Sequence, residues 1–167
     1  TYNAMKGLHH REAGTVGAAF LADEAYCEMI CDLVHLQKYA IQVLYKTKGK
    51  DKLCAITDGI EAKHLPDGKY QLGGQPVYVK NGEARLIDGT LAGSTLLMNV
   101  AVRNIKNVLD ISLEDAVDIA SKNPAMNLGL YDTKGSIREG KDADFAIIDK
   151  DVNVYMTVSE GQIVFQK

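Results

Sequence analysis

The sequence predicts an α/β fold, and three observations carry that reading. Two short apolar runs, Glu28–Val34 and Leu53–Thr57, flank a stretch with helical spacing, giving the order strand, helix, strand. Residues 69–86 alternate in polarity between glycine- and asparagine-rich turns, the pattern of a small antiparallel insertion. From Gly135 onward the pattern returns to strands, at Ala143–Asp149, Val154–Ser159 and Gln162–Gln166.

The elements follow in order. The segment through Val16-Gly17 is rich in Gly, His and Asn and reads as a loop, with Gly17–Leu21 opening a short helix. Glu28–Val34 is a buried strand that ends on His35, although periodicity alone does not separate a short apolar run from a helix. Tyr39, Ile41, Leu44, Tyr45 and Lys48 recur at helical spacing, and Gly49 is a natural stop. Leu53–Thr57 is a continuous apolar run suited to a strand covered on both faces, and it ends on Asp58-Gly59. Each strand of this βαβ unit therefore carries a polar residue at its C-terminal end, the face on which (β/α)₈ barrels build active sites.

In the insertion, Gly73-Gly74 and Lys80-Asn81-Gly82 connect the strands. Helices resume after Ser94, with Leu97, Ala101, Ile105 and Val108 along one face. A second helix starts at Ser112 with Asp115 three residues on, a relative of the capping box, and turns Leu113, Ala116, Val117 and Ala120 inward.

Composition narrows the function. At 167 residues the chain has the length of one domain and can bury roughly 70% of its unfolded surface. A net charge of −3 without a basic run or aromatic-basic stripe gives no sign of a nucleic-acid groove. No apolar stretch approaches the ~20 residues that span a bilayer, and the chain does not open on a charged-then-apolar leader, so a cytoplasmic protein without a membrane partner is expected. The three cysteines, Cys27, Cys31 and Cys54, are odd in number and sit in apolar segments, as buried thiols in a reducing compartment would. The Cys27–Cys31 spacing without further partners is a poor zinc signal.

Four places can carry chemistry. Asp58, a carboxylate at the end of a buried strand, can act as a general base or meet a metal, and equally can cap a loop. His35 stands at the neighbouring strand end, where an isolated His is otherwise a satisfied structural residue. Leu8-His9-His10-Arg11-Glu12 gathers imidazoles and a guanidinium whose planar fork suits phosphate, or forms a solvated loop. Gly89-Thr90-Leu91-Ala92-Gly93-Ser94 runs into a helix, where backbone N–H groups can meet a polar ligand or simply cap.

Taken together, Asn3-Ala4-Met5, His10-Arg11-Glu12, Asp32-Leu33-Val34-His35, Thr57-Asp58 and Gly89–Ser94 resemble, in order, the N-acetylglucosamine-6-phosphate deacetylases. The tail Gly135-Ser136-Ile137-Arg138-Glu139-Gly140-Lys141-Asp142-Ala143-Asp144 resembles the closing signature of the wider amidohydrolase superfamily. The resemblance implies the C-terminal part of a (β/α)₈ TIM barrel over residues 1–128, with the hairpin insertion near 69–86. Residues 129–167 would then be part of a small β-sandwich domain.

The resemblance also implies roles. Asp58 is the catalytic acid/base. Asn3 and Ala4 contact the substrate phosphate, and Arg11 reaches the phosphate of a neighbouring subunit. Asp32, Leu33, Val34 and His35, with Leu91, Ala92 and Gly93, line the sugar site. The implied cofactor is a divalent metal, zinc, iron or another, in the full-length enzyme. Its Glu and two His ligands lie upstream of Thr1 in the family, so this chain is expected to hold none, with Asp58 alone placed to touch the ion. The expected partners are an amino-sugar phosphate and further copies of the chain. The chain reads as a fragment of a longer deacetylase, inactive alone. The alternative is a non-catalytic dimerisation or interaction module derived from such an enzyme.

Overall fold

The computed structural model describes all 167 residues. Strands β1 (Cys27–Ile30) and β2 (Leu53–Ile56) pair in parallel, with Cys27 opposite Leu53 and Ile30 opposite Ile56. Helix α2 (Lys38–Lys48) makes the crossover between them. Both strands are apolar because both of their faces are covered: Cys27, Met29 and Ile30 on one, Leu53, Cys54 and Ala55 on the other are buried. Helix α2 turns Ile41 and Leu44 into the same core and stops at Gly49, whose φ of 69° suits a residue without Cβ.

Strand β1 is shorter than the apolar run suggests. Leu33 takes a φ of +67° and the Asp32 carboxylate collects the amides of Val34 and His35, so the backbone leaves the ladder and turns. His35 therefore lies five residues beyond the strand rather than at its tip. Helix α1 (Gly14–Leu21) likewise begins three residues before the expected Gly17.

Helices α3 (Met98–Leu109), α4 (Leu113–Ala120) and α5 (Lys122–Asn127) cover the parallel pair. Ala101 and Ile105 of α3 and Ala116 and Ile119 of α4 are sealed against Met29, Leu36, Ile41 and Leu53. Ser112 caps α4, its hydroxyl accepting the Asp115 amide at 3.0 Å. Val117, expected inward, is 37% exposed. An eight-residue helix presents one narrow stripe to the core, here Ala116 and Ile119, and Val117 lies beside it on the wall of a cavity.

The insertion is a meander of β3 (Gly68–Leu72), β4 (Gln75–Lys80) and β5 (Glu83–Arg85). Its turns are Gly73-Gly74 and Asn81-Gly82, all at positive φ, the backbone that a two-residue hairpin requires. Val77, Val79 and Ala84 pack with Ile60, Ala62 and Ala92 as a second, smaller core.

Strands β6 (Phe145–Ile148), β7 (Val154–Ser159) and β8 (Gln162–Gln166) form a third sheet, antiparallel throughout. The turn between β6 and β7 is tied to α3, where Arg103 Nε donates to the Asp151 carbonyl at 2.6 Å and Asn99 Nδ2 to that of Val152 at 3.2 Å. All three cysteines are buried and free. No helix is long and apolar enough to cross a membrane.

Candidate active site

The parallel pairing of β1 and β2 brings their carboxyl ends side by side, and the polar residues collect there. Asp32 is the centre of one group. Its Oδ1 accepts the amides of Val34 at 2.9 Å and His35 at 2.8 Å, and its Oδ2 meets His35 Nδ1 at 2.6 Å. The Ser94 hydroxyl reaches the same Oδ2 at 3.3 Å. The His35 side chain is only 2% exposed, yet its Nε2 has no partner within the chain.

Asp58 stands two residues past β2 at a φ of +49°, exposed, its carboxylate free of any hydrogen bond or ion pair. A short polar side chain tolerates this left-handed backbone better than a branched one. Its carbonyl accepts the Ser94 amide at 2.8 Å, and the Ile60 amide donates to the Ser94 carbonyl at 3.0 Å. Gly59 and Ser94 are thus joined by an isolated parallel bridge just past the end of β2. Gly93 is required by this approach: a Cβ there would lie 2.4 Å from Ile60 Cγ2 and 3.2 Å from the Asp58 carbonyl oxygen. On its other side the segment is fixed by the Ala92 amide, which donates to Ala84 of β5 at 3.0 Å.

The remaining sequence candidates, Asn3, Ala4 and Arg11, stand on the exposed loop before α1. Ala4 has a φ of +56°, and Asn3 beside it is exposed. Arg11 is exposed, with Nη1 2.7 Å from His10 Nε2, and the His9 and His10 rings lie 4.2 Å apart. The start of this loop is anchored beside β1, where the Thr1 amino group bonds to the Glu28 carbonyl and Tyr2 packs edge-on against Phe20.

Ser94, which closes the Gly89–Ser94 run, joins this cluster through its hydroxyl rather than capping a helix. The helix in fact begins four residues later, at Met98. The available signal was period two: Ala92, Ser94 and Leu96 are buried in alternation, as on a strand. Nowhere in the chain do three His, Cys, Asp or Glu side chains converge to hold an ion. His35 commits one nitrogen to Asp32 and Asp58 stands alone, so these residues do not by themselves fit a catalytic metal, which takes about three protein ligands.

A buried parallel pair with carboxylate and imidazole groups beyond its carboxyl ends is an α/β arrangement consistent with part of an amidohydrolase. The chain belongs to the amidohydrolase family, whose model matches residues 18–164. It is 44% identical over 164 residues to the N-acetylglucosamine-6-phosphate deacetylase of Bacillus subtilis, a match covering 98% of this chain and 41% of that protein. It is 38% identical over 162 residues to the N-acetylgalactosamine-6-phosphate deacetylase of Escherichia coli O157:H7, covering 97% of this chain and 43% of that one. Among solved structures, the N-acetylglucosamine-6-phosphate deacetylase of Thermotoga maritima superposes with a TM-score of 0.91 at 44% identity, over 97% of this chain and 44% of its own. The chain thus spans well under half the length of these relatives.

Proposed function

We propose that this chain is part of an enzyme that hydrolyses the acetamide of an N-acetylhexosamine 6-phosphate to the free amine and acetate. The observation that carries this reading is the unpaired Asp58 carboxylate at the carboxyl end of a buried parallel strand, next to the Asp32–His35 turn, in a chain 44% identical to a deacetylase of that substrate class.

In this reading Asp58 takes a proton from the attacking water as its oxygen bonds to the acetamide carbon. It then returns that proton to the sugar nitrogen as the carbon–nitrogen bond breaks. One carboxylate is base and then acid, and the proton count closes. His35 orients the substrate, with Leu33, Val34 and the Leu91–Gly93 segment facing the sugar. Asn3, Ala4 and Arg11 hold the phosphate, Arg11 across to a second copy, so that remote binding positions the reacting carbonyl. The residues of this chain do not by themselves fit the divalent metal that the family resemblance implies.

The same reading makes residues 1–128 the closing part of a (β/α)₈ barrel and residues 129–167 part of a small β-sandwich. The parallel pairing of β1, β2 and the Ser94 bridge supports the first, and the antiparallel β6–β8 sheet supports the second. A cytoplasmic homo-oligomer follows from the resemblance. Amine release from N-acetylglucosamine 6-phosphate and N-acetylgalactosamine 6-phosphate by the natural protein bearing this chain is the test. Turnover of at least one is expected, and turnover of neither sinks the reading.

A further inference from the structure

We propose that Asp32 and Ser94 are a positioning pair that fixes a proton on His35 Nδ1 and thereby turns Nε2 toward the substrate. The inference rests on the deacetylase reading and refines it, because Asp32 then acts through His35 rather than on the sugar.

The hydrogen bonds leave little choice of direction. Oδ1 of Asp32 receives two backbone N–H groups, from Val34 and His35, so it is an acceptor by necessity. Ser94 Oγ accepts the Leu96 amide at 2.9 Å, which points its own hydrogen toward Asp32 Oδ2 at 3.3 Å. A carboxylate has only acceptor sites, so the ring nitrogen 2.6 Å from Oδ2 must be the donor. The chain of bonds runs from the Leu96 amide through the Ser94 hydroxyl to the carboxylate, which then holds the imidazole. Nε2 is the one ring nitrogen left to a ligand, since Nδ1 is committed to Asp32.

The geometry also explains why a turn so unfavourable for its sequence exists. Leu33 occupies a left-handed backbone that costs a leucine roughly 1–2 kcal/mol. That kink is what allows one carboxylate oxygen to reach both following amides while the other meets the ring. Strain of this sort is retained where the surroundings fix it and a site uses it.

The substitution Asp32→Asn separates placement from packing. Its side-chain oxygen still accepts the two amides, and its amide nitrogen then faces His35 Nδ1 as a donor. The ring must answer by moving its proton to Nε2, the group it should present unencumbered. The experiment is 15N NMR of histidine-labelled protein, with four histidines in the chain to assign, alongside kinetics of the natural protein on its phosphorylated substrate.

For the unsubstituted protein, a protonated His35 Nδ1 is expected; an unprotonated Nδ1 overturns the proposal. For Asp32→Asn, the expected result is loss of the Nδ1 proton and a fall in kcat of about a hundredfold with KM within about threefold, the scale on which misplacement of a reacting group is felt. An unchanged tautomer, or a moved proton with kcat intact, overturns it. Ser94→Ala should keep the Nδ1 proton and lower kcat severalfold; full activity removes Ser94 from the pair. No turnover by the unsubstituted protein would fail the deacetylase reading alone, because the ring measurement needs no substrate.

Discussion

The amide of Ser94 lies 2.8 Å from the carbonyl of Asp58, and the Ser94 hydroxyl lies 3.3 Å from Asp32. One serine therefore fixes the backbone under the proposed acid/base and the carboxylate behind the proposed orienting histidine. Replacing either bond should register in function before it registers in folding.

Asp58→Asn in the natural protein should lower kcat by several orders of magnitude with KM little changed. Asparagine tolerates the φ of +49° and keeps the shape, but it does not shuttle a proton. Steady-state kinetics decide the matter: turnover above about a tenth of wild type would assign the base elsewhere.

Arg11→Ala should weaken productive binding of the phosphorylated substrate about ten- to a hundredfold in kcat/KM. The loss should nearly vanish on N-acetylglucosamine itself, since the guanidinium has no other partner than His10 to lose. Equal losses on both substrates would reject the phosphate role.

Gly93→Ala should destabilise the chain by about 2–4 kcal/mol, combining a left-handed alanine with an overpacked contact on Ile60. Chemical denaturation measures it, and an unchanged midpoint would mean that the 91–94 segment can withdraw from β2.

Asn123→Ala tests the far end of β2. This buried side chain donates to the Lys50 carbonyl at 2.7 Å and the Leu53 carbonyl at 2.8 Å. Removing it leaves two acceptors without that donor, at a cost of about 2–3 kcal/mol. Urea unfolding that shows less than half of this would indicate replacement by water.

Burial, helped by the charge of Asp32, pushes the Cys31 thiol up to about 12, and burial lifts Cys54 to about 11. Both groups hold their protons more tightly folded than unfolded. Their stabilising contribution is therefore complete below the ordinary thiol range near 9 and is lost as pH rises toward 11 and 12. Alkylation at pH 8 should be slow in the native protein and fast in denaturant; rapid native labelling of Cys31 would contradict its burial.

Much of this architecture could be read from the chain, and the exceptions share a cause. Gly49 and Asn81-Gly82 were legible because their backbones are decided locally, by what a residue without Cβ, or with a short polar side chain, can adopt. The limits of β7 and β8 follow from alternation and turn residues in the same way. Position made Asp58 and His35 candidates, beside a loop-capping reading of the one and a structural reading of the other, and His35 stands five residues past β1 rather than at its tip. The early end of β1 was not legible, because it depends on Asp32 competing with the ladder for two amides. Alternation of Ala92, Ser94 and Leu96 marks the extended backbone of Ser94, but its partners, Asp32 and Asp58, stand 62 and 36 positions away in the chain, where no local rule reaches.

The segment from Leu91 to Ser94 has a mechanical meaning. It is gripped by Ala84 of the meander at one end and by Asp58 at the other, so it works as a connecting rod between a surface ornament and the reactive edge. Lengthening the Gly73-Gly74 turn, where an added Cβ would meet no atom within 4 Å, should leave that rod at rest. Distorting β5 should push it, and the load would arrive at Asp58. A binder or a designed loop seated on β5 would then disturb Asp58 from a distance.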